Sequence, residues 1–171
     1  MSTPTTMWAD AATDAPYSWT VVESPIGPLL VEARGASISG VSFAPWSRPT
    51  QPSGDSTALA QAVSQLEEYF AGARREFSLP LAPQGTDFQR RVWTALTTIP
   101  YGSTTSYGAI AALLGLVPGA SRAVGLANGR NPIPVVIPCH RVIGADGSLT
   151  GFGGGLERKR ILLTLEADTL F

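Results

Sequence analysis

From Tyr17 the order of apolar and polar positions becomes strand-like, in three short runs: Tyr17–Glu23, Leu29–Ala33 and Ser37–Phe43. The last of them carries Ile38, Val41 and Phe43 as its apolar residues. Ser24-Pro25-Ile26-Gly27-Pro28 separates the first two runs with turn chemistry, so the three strands read as a meander. The period then changes. Leu59, Val63, Leu66 and Phe70 recur at helical spacing, which predicts an amphipathic helix ending near Gly72. Residues 1–16 are small, polar and proline-containing and read as a loose tail, and Ala44–Ser56 reads as a loop. Leu79–Gly85, with two prolines, marks the expected boundary between an α+β domain over 17–80 and a domain over 86–171.

The second half is patterned for helices. Thr86 and Asp87 can cap a helix carrying Phe88, Val92, Ala95 and Leu96, stopped by Ile99-Pro100-Tyr101-Gly102. A second helix runs from Tyr107 to Leu114 and ends at Gly115, and a third runs from about Ala120 to Asn128 after a turn containing Pro118-Gly119. Two short helices joined by a tight turn form a candidate helix-turn-helix. Ile133-Pro134-Val135-Val136-Ile137 then reads as an extended apolar run leading into Pro138-Cys139-His140-Arg141, and a last helix after a glycine run carries Glu166. The expected fold class is α+β: a small three-stranded sheet with a helix, then a mainly helical domain holding the helix-turn-helix and the cysteine.

Composition narrows the function classes. In 171 residues, 44% are hydrophobic and 15% charged, so the chain can bury a core and is not largely disordered. No apolar run is long enough to cross a bilayer, and the N-terminus lacks the basic flank and apolar stretch of a secretory signal, so a cytoplasmic protein without a membrane partner is expected. One cysteine and one histidine exclude an internal disulfide and an ordinary structural zinc site. The net charge of −1 hides an asymmetry. Residues 1–87 hold 4 basic and 9 acidic side chains, whereas residues 88–160 hold 8 basic ones, seven of them arginine, and 2 acidic. Charge alone favours the plain reading of a solvated face, but a basic block inside a neutral protein is also what a nucleic-acid footprint looks like.

Cys139 is the only thiol, and a lone cysteine is commonly a small buried hydrophobe. Its neighbours suggest more. Pro138 fits the first position of a helical turn, which would bring the sulfur near unpaired backbone N–H groups. Arg141 and the only histidine are close by, and each can favour thiolate over thiol. Adjacent side chains diverge, so the expected proton path from Cys139 to His140 runs through a bridging water, with Glu166 orienting the imidazole.

Ile137-Pro138-Cys139-His140-Arg141-Val142 resembles the active-site signature of the O6-alkylguanine-DNA alkyltransferases. The resemblance extends in order through Phe88, Val92-Trp93, Ile99-Pro100-Tyr101-Gly102, Ser106-Tyr107, Arg122-Ala123-Val124-Gly125, Asn131-Pro132, Gly154-Gly155-Leu156 and Leu165-Glu166. It implies a repair protein that flips an alkylated guanine, and by extension O4-alkylthymine, out of double-stranded DNA gripped from the minor groove. The alkyl group passes to the protein's own cysteine once per molecule, without cofactor or metal. Position by position, Cys139 resembles the acceptor, His140 the water-linked base and Glu166 its orienting partner. Asn131 matches the asparagine that braces the turn before the site, and Tyr107 the tyrosine that assists flipping and protonates the leaving guanine. Arg122 matches the arginine that fills the vacated stack. Ser106, Ala123, Gly125, Arg130 and Arg141 fall among the implied DNA contacts, and Val142, Phe152, Gly153, Gly154 and Pro134 among those lining the base pocket. A monomer is expected, with cooperative binding along DNA left open.

Two positions depart from some members of that family: Phe152 replaces a tyrosine and Gly153 a serine, which removes two hydroxyls from the implied pocket. Leu116–Gly119 holds one residue more than some relatives. Three other functions compete. A lesion-binding alkyltransferase-like protein lacks the acceptor cysteine that this chain has. A cysteine hydrolase needs an oxyanion hole that nothing in the chain specifies. A helix-turn-helix regulator reads bases with polar side chains, whereas Ala120–Asn128 is mostly Ala, Gly, Val and Leu.

Overall fold

The computed structural model describes residues 8–9, 14–47, 54 and 56–168, so most of the expected tail and the centre of the 44–56 loop lie outside the described residues. The chain divides into two compact units, Met1–Gln84 and Gly85–Phe171.

In the first unit β1 (Tyr17–Val22), β2 (Leu29–Arg34) and β3 (Ser37–Phe43) form an antiparallel sheet in that order. The register runs from Tyr17 opposite Arg34 to Val22 opposite Leu29, and from Leu29 opposite Phe43 to Arg34 opposite Ser37, with an irregularity between Glu32 and Ala33. Ser24 closes the first turn: its Oγ accepts from Ile26 N–H at 3.2 Å and donates to the Gly27 carbonyl at 2.6 Å. Gly27 adopts φ 91°, a conformation that costs glycine little. α1 (Thr57–Phe70) begins where Ser56 Oγ accepts from Leu59 N–H at 3.3 Å and packs on the sheet.

The buried face of α1 differs from the expected one. Ala58, Leu59, Ala62, Gln65, Leu66 and Tyr69 are buried, while Val63 and Phe70 are only half-buried. Two alanines on the inner face let the helix approach the sheet closely, and the larger Tyr69 fills the space at its end, stacked edge-on with Phe70 at 5.1 Å. The proline-rich 79–85 segment is also more than a boundary. Ile38 N–H donates to the Pro80 carbonyl at 2.8 Å and Ala82 N–H to the Ile38 carbonyl at 2.9 Å, so part of the free edge of β3 is paired.

In the second unit α2 (Asp87–Leu96) opens with a reciprocal cap: Gln89 N–H donates to Thr86 Oγ1 at 3.1 Å and Thr86 N–H to Gln89 Oε1 at 3.0 Å. A two-residue strand, β4 (Thr105–Ser106), leads into α3 (Tyr107–Leu113), and α4 (Ser121–Gly129) follows after a turn. A single 3-10 turn over Cys139–Arg141 is continued by β5 (Val142–Ile143), which pairs in parallel with β4, and α5 (Leu156–Asp168) closes the unit. Trp93 sits in the middle, fully buried, and its Nε1–H donates to the Ala127 carbonyl of α4 at 2.8 Å. A Cβ on Gly85 would overlap the Trp93 ring, so a side chain at 85 and the ring cannot both keep their places.

Residues 133–137 are not extended, contrary to the sequence reading. Ile137 N–H reaches back to the Ile133 carbonyl at 2.9 Å, and Val135 lies at φ 72° while buried. A left-handed β-branched residue is strained and needs its surroundings to hold it there. Asn131 helps to do so: Ile133 N–H donates to its Oδ1 at 2.9 Å, and its Nδ2 donates to the Ile137 carbonyl at 2.8 Å.

Candidate active site

That asparagine-braced turn delivers the chain to the cysteine. Pro138 precedes the 3-10 turn rather than beginning it, with φ −80° and ψ 63°, and Cys139 is the first residue inside. The thiol is 4% exposed. Asn131, the backbone N–H groups of Cys139 and His140, and the Lys159 ammonium all favour its thiolate form. Burial nevertheless outweighs these and pushes the thiol up to about 11. The expectation that the neighbours favour thiolate is thus corrected in its balance: the stabilising groups are present, but the resting group is a protonated thiol. Arg141 is not among them, for a reason visible in its contacts.

His140 is fully buried, and its Nε2 lies 2.7 Å from Glu166 Oε1. Glu166 is 1% exposed and takes three further bonds from Arg141, Nε to Oε1 and Oε2 at 3.3 and 3.0 Å and Nη2 to Oε1 at 2.9 Å. Burial raises the carboxyl, but the hydrogen bonds and charges of His140 and Arg141 prevail and bring it down to about 2. An ionised Glu166 makes Nε2 the protonated nitrogen of a neutral imidazole, and burial holds His140 below its ordinary 6.5. The lone pair therefore sits on Nδ1, which is buried and has no hydrogen-bond partner. No direct hydrogen bond joins Cys139 and His140 side chains among the described residues, as the divergence of adjacent residues predicts.

Arg141 was expected among the DNA contacts. The structure corrects this: the residue is buried, its Nη1 donates to the Ile99 carbonyl at 2.7 Å, and its Nε and Nη2 donate to Glu166. The basic block is correspondingly narrower than its sequence count, since Lys159 is also buried and Arg160 pairs with Glu157 at 2.7 Å. Arg122 and Arg130, in and just after α4, are exposed, as is Ala123, with Gly125 half-buried beside the Tyr107 ring. Ser106 caps α3, its Oγ accepting from Ala109 N–H at 3.1 Å.

The segment before α5 forms one side of the site. A Cβ on Gly153 would stand 3.7 Å from the Gly129 carbonyl, which places this loop beside the end of α4. Phe152 is half-buried, Gly154 accepts from Arg158 Nη1 at 3.0 Å, and Pro134 is buried. Tyr107 Oη donates to the Thr150 carbonyl at 3.0 Å and stands 3.2 Å from Thr150 Oγ1, so the hydroxyl expected to serve the leaving base is engaged with the loop. Lys159 organises the same region: its Nζ donates to the Val142 carbonyl at 2.6 Å and the Thr150 carbonyl at 2.8 Å. Sequence reasoning counted Lys159 only as surface charge. The signal was there, because Lys159, Leu162 and Glu166 share one helical face, so an inward Glu166 carries Lys159 inward with it.

Residues 17–83 match the family model described as 6-O-methylguanine DNA methyltransferase, ribonuclease-like domain, and residues 87–168 match the DNA binding domain of the same description. The chain belongs to the O6-methylguanine-DNA methyltransferase family. It is 54% identical over 150 residues to the methylated-DNA–protein-cysteine methyltransferase of Mycobacterium tuberculosis, covering 85% of this chain and 89% of that relative. The protein of that name from Methanosarcina barkeri is 47% identical over 154 residues, covering 88% and 97%. The crystal structure of Mycobacterium tuberculosis OGT in complex with DNA superposes with a TM-score of 0.81 at 52% identity, covering 90% of this chain and 93% of that one.

Proposed function

We propose that the protein is a methylated-DNA–protein-cysteine methyltransferase that removes the alkyl group from O6 of guanine in double-stranded DNA, and from O4 of thymine, onto its own Cys139. The observation that carries this reading is the buried Cys139 beside a neutral His140 whose Nε2–H is held by Glu166. The thiol proton leaves through a water to His140 Nδ1, and Glu166 stabilises the imidazolium that results. The sulfur lone pair forms the S–C bond while the C–O6 bonding pair returns to the purine, which takes up a proton to become guanine. Water does not displace the thiolate from the resulting alkyl thioether, so the cysteine is not regenerated and one molecule acts once. Asn131 and the N–H groups of Cys139 and His140 stabilise the developing thiolate that burial alone would forbid.

A base in a duplex hides its O6 substituent, so extrusion precedes transfer. Arg122, exposed on α4, occupies the emptied stack from the minor groove, and Arg130 and Ser106 lie near phosphates. The Val142 carbonyl, already held by Lys159, keeps a second lone pair for the guanine edge. For Tyr107 to protonate the leaving base, its bond to Thr150 must exchange for one to the purine. The protein acts as a monomer in the cytoplasm; no described helix is long and apolar enough to cross a membrane.

Incubation with a duplex carrying methyl-labelled O6-methylguanine tests the proposal. Label should appear on Cys139 at a limit of one per molecule, and Cys139→Ser should take none while still binding DNA. Binding of the lesion by the native protein without any label on it would overturn the proposal in favour of a lesion-binding role.

A further inference from the structure

Asn128 lies in the last turn of α4 and is 2% exposed. Its Nδ2 donates to the Cys139 carbonyl at 3.3 Å, while its Oδ1 is buried with no hydrogen-bond partner. An unpaired buried amide oxygen costs the fold free energy that an apolar side chain of the same size would not. The Cys139 carbonyl, moreover, already receives the Val142 N–H. Stability therefore gives no reason for an asparagine at this position.

Geometry gives one. The residue before it, Ala127, accepts the Trp93 Nε1–H, so the end of α4 is pinned to α2. Asn131, which lies beyond the end of α4, holds the connection to the site through Ile133 and Ile137 and meets the cysteine at its sulfur rather than at its main chain. Asn128 is a direct strut from the helix itself to the acceptor's main chain. We infer that Asn128 is a positioning residue that fixes Cys139 relative to α4, so that the helix seated on DNA also sets the distance between the sulfur and the extruded base. This rests on the proposed function, in which α4 is the DNA-facing helix and Cys139 the acceptor.

The consequence is selective. A free base such as O6-benzylguanine adjusts its own position to the sulfur, whereas a base tethered to DNA on α4 cannot. Asn128→Leu should therefore lower the single-turnover rate on a methylated duplex by roughly tenfold more than the rate on free O6-benzylguanine, the scale that small misplacements of reacting atoms bring. Saturating protein removes any difference in DNA affinity. The ratio is taken within one variant, so loss of folded protein affects both substrates alike, and Asn128→Ala, which leaves space instead of filling it, should show the same ratio. The melting temperature of Asn128→Leu should equal or exceed that of the native protein. Equal rate losses on the two substrates, or no loss on either, would overturn the inference. Native protein run in parallel separates the two readings: if it takes no methyl group from the duplex, the proposed function itself falls, whereas native transfer with an unchanged ratio in both variants removes Asn128 alone.

Discussion

At the scale of single residues, the site is defined by where charge is spent. Glu166 is the shared acceptor for His140 and Arg141, and without Arg141 it would be a buried carboxylate that has lost its guanidinium. Arg141→Met should destabilise the protein by about 3–5 kcal/mol, the cost of leaving one member of a buried ion pair uncompensated, as read by urea unfolding. Arg141→Lys should recover only part of it, because an ammonium cannot make the guanidinium's forked contact. A stable Arg141→Met variant with weakened DNA binding would instead restore the phosphate contact that the family resemblance implied. Cys139, His140, Glu166 and Asn131 were legible because their types and order are distinctive. Arg141, Lys159 and Asn128 were not, since a charged or amide side chain in sequence does not announce whether it points outward. Only the shared face of α5 carried a hint, and only once Glu166 was placed. Glycine offers a residue-scale check of packing: Gly85→Ala forces its Cβ into the Trp93 ring and should cost about 1–3 kcal/mol, the range for overpacking, in the same unfolding experiment. An unchanged midpoint would show that the ring has room to move.

At the scale of elements, legibility followed the strength of local signals. The caps at Ser56 and Thr86 and the glycines at 72 and 115 mark helix ends whose chemistry is local, so α1, α2 and α3 begin and end near their expected limits. β4 and β5 are two residues each and pair across the site, which no periodicity can reveal. Ile133–Ile137 was misread because its β-branched residues suit a strand, yet the Asn131 side chain replaces strand partners and folds the segment into a turn. α4 is the element on which the proposed DNA contacts depend, and Arg122 stands exposed near its start. Arg122→Ala should slow repair of a duplex far more than dealkylation of free O6-benzylguanine. Extrusion costs a few kcal/mol of stacking and pairing, and an inserted side chain offsets part of that while blocking return. Single-turnover rates at saturating protein isolate this from lost affinity. Equal losses on both substrates would place Arg122 in the architecture of the pocket and end its role in the stack.

At the scale of the whole molecule, the charge count misled by treating the basic block as a face, when Arg141 and Lys159 are interior groups. Interior ionisable groups make themselves felt in a different observable, the dependence of stability on pH. His140 is held below 6.5 by burial, so between that value and its lower folded one the unfolded chain binds the proton that the fold refuses. Stability must therefore fall as pH drops below 6.5. Glu166 acts in the same direction at lower pH. Its carboxyl is brought from 4.5 to about 2, so the stability its ionised form contributes is complete above 4.5 and drains away as pH falls through about 2. Both groups act in the same direction, so the urea midpoint should decline between pH 7 and pH 3 with an unchanged denaturant slope. Glu166→Gln should lower the midpoint at pH 7 and flatten its decline below 4.5, because the group that titrates there is gone. A native midpoint that rose between pH 7 and pH 5 would mean that the fold binds the imidazole proton more tightly than the unfolded chain does. His140 would then rest as an imidazolium, unable to accept the Cys139 proton, and the route through Nδ1 would have to be abandoned.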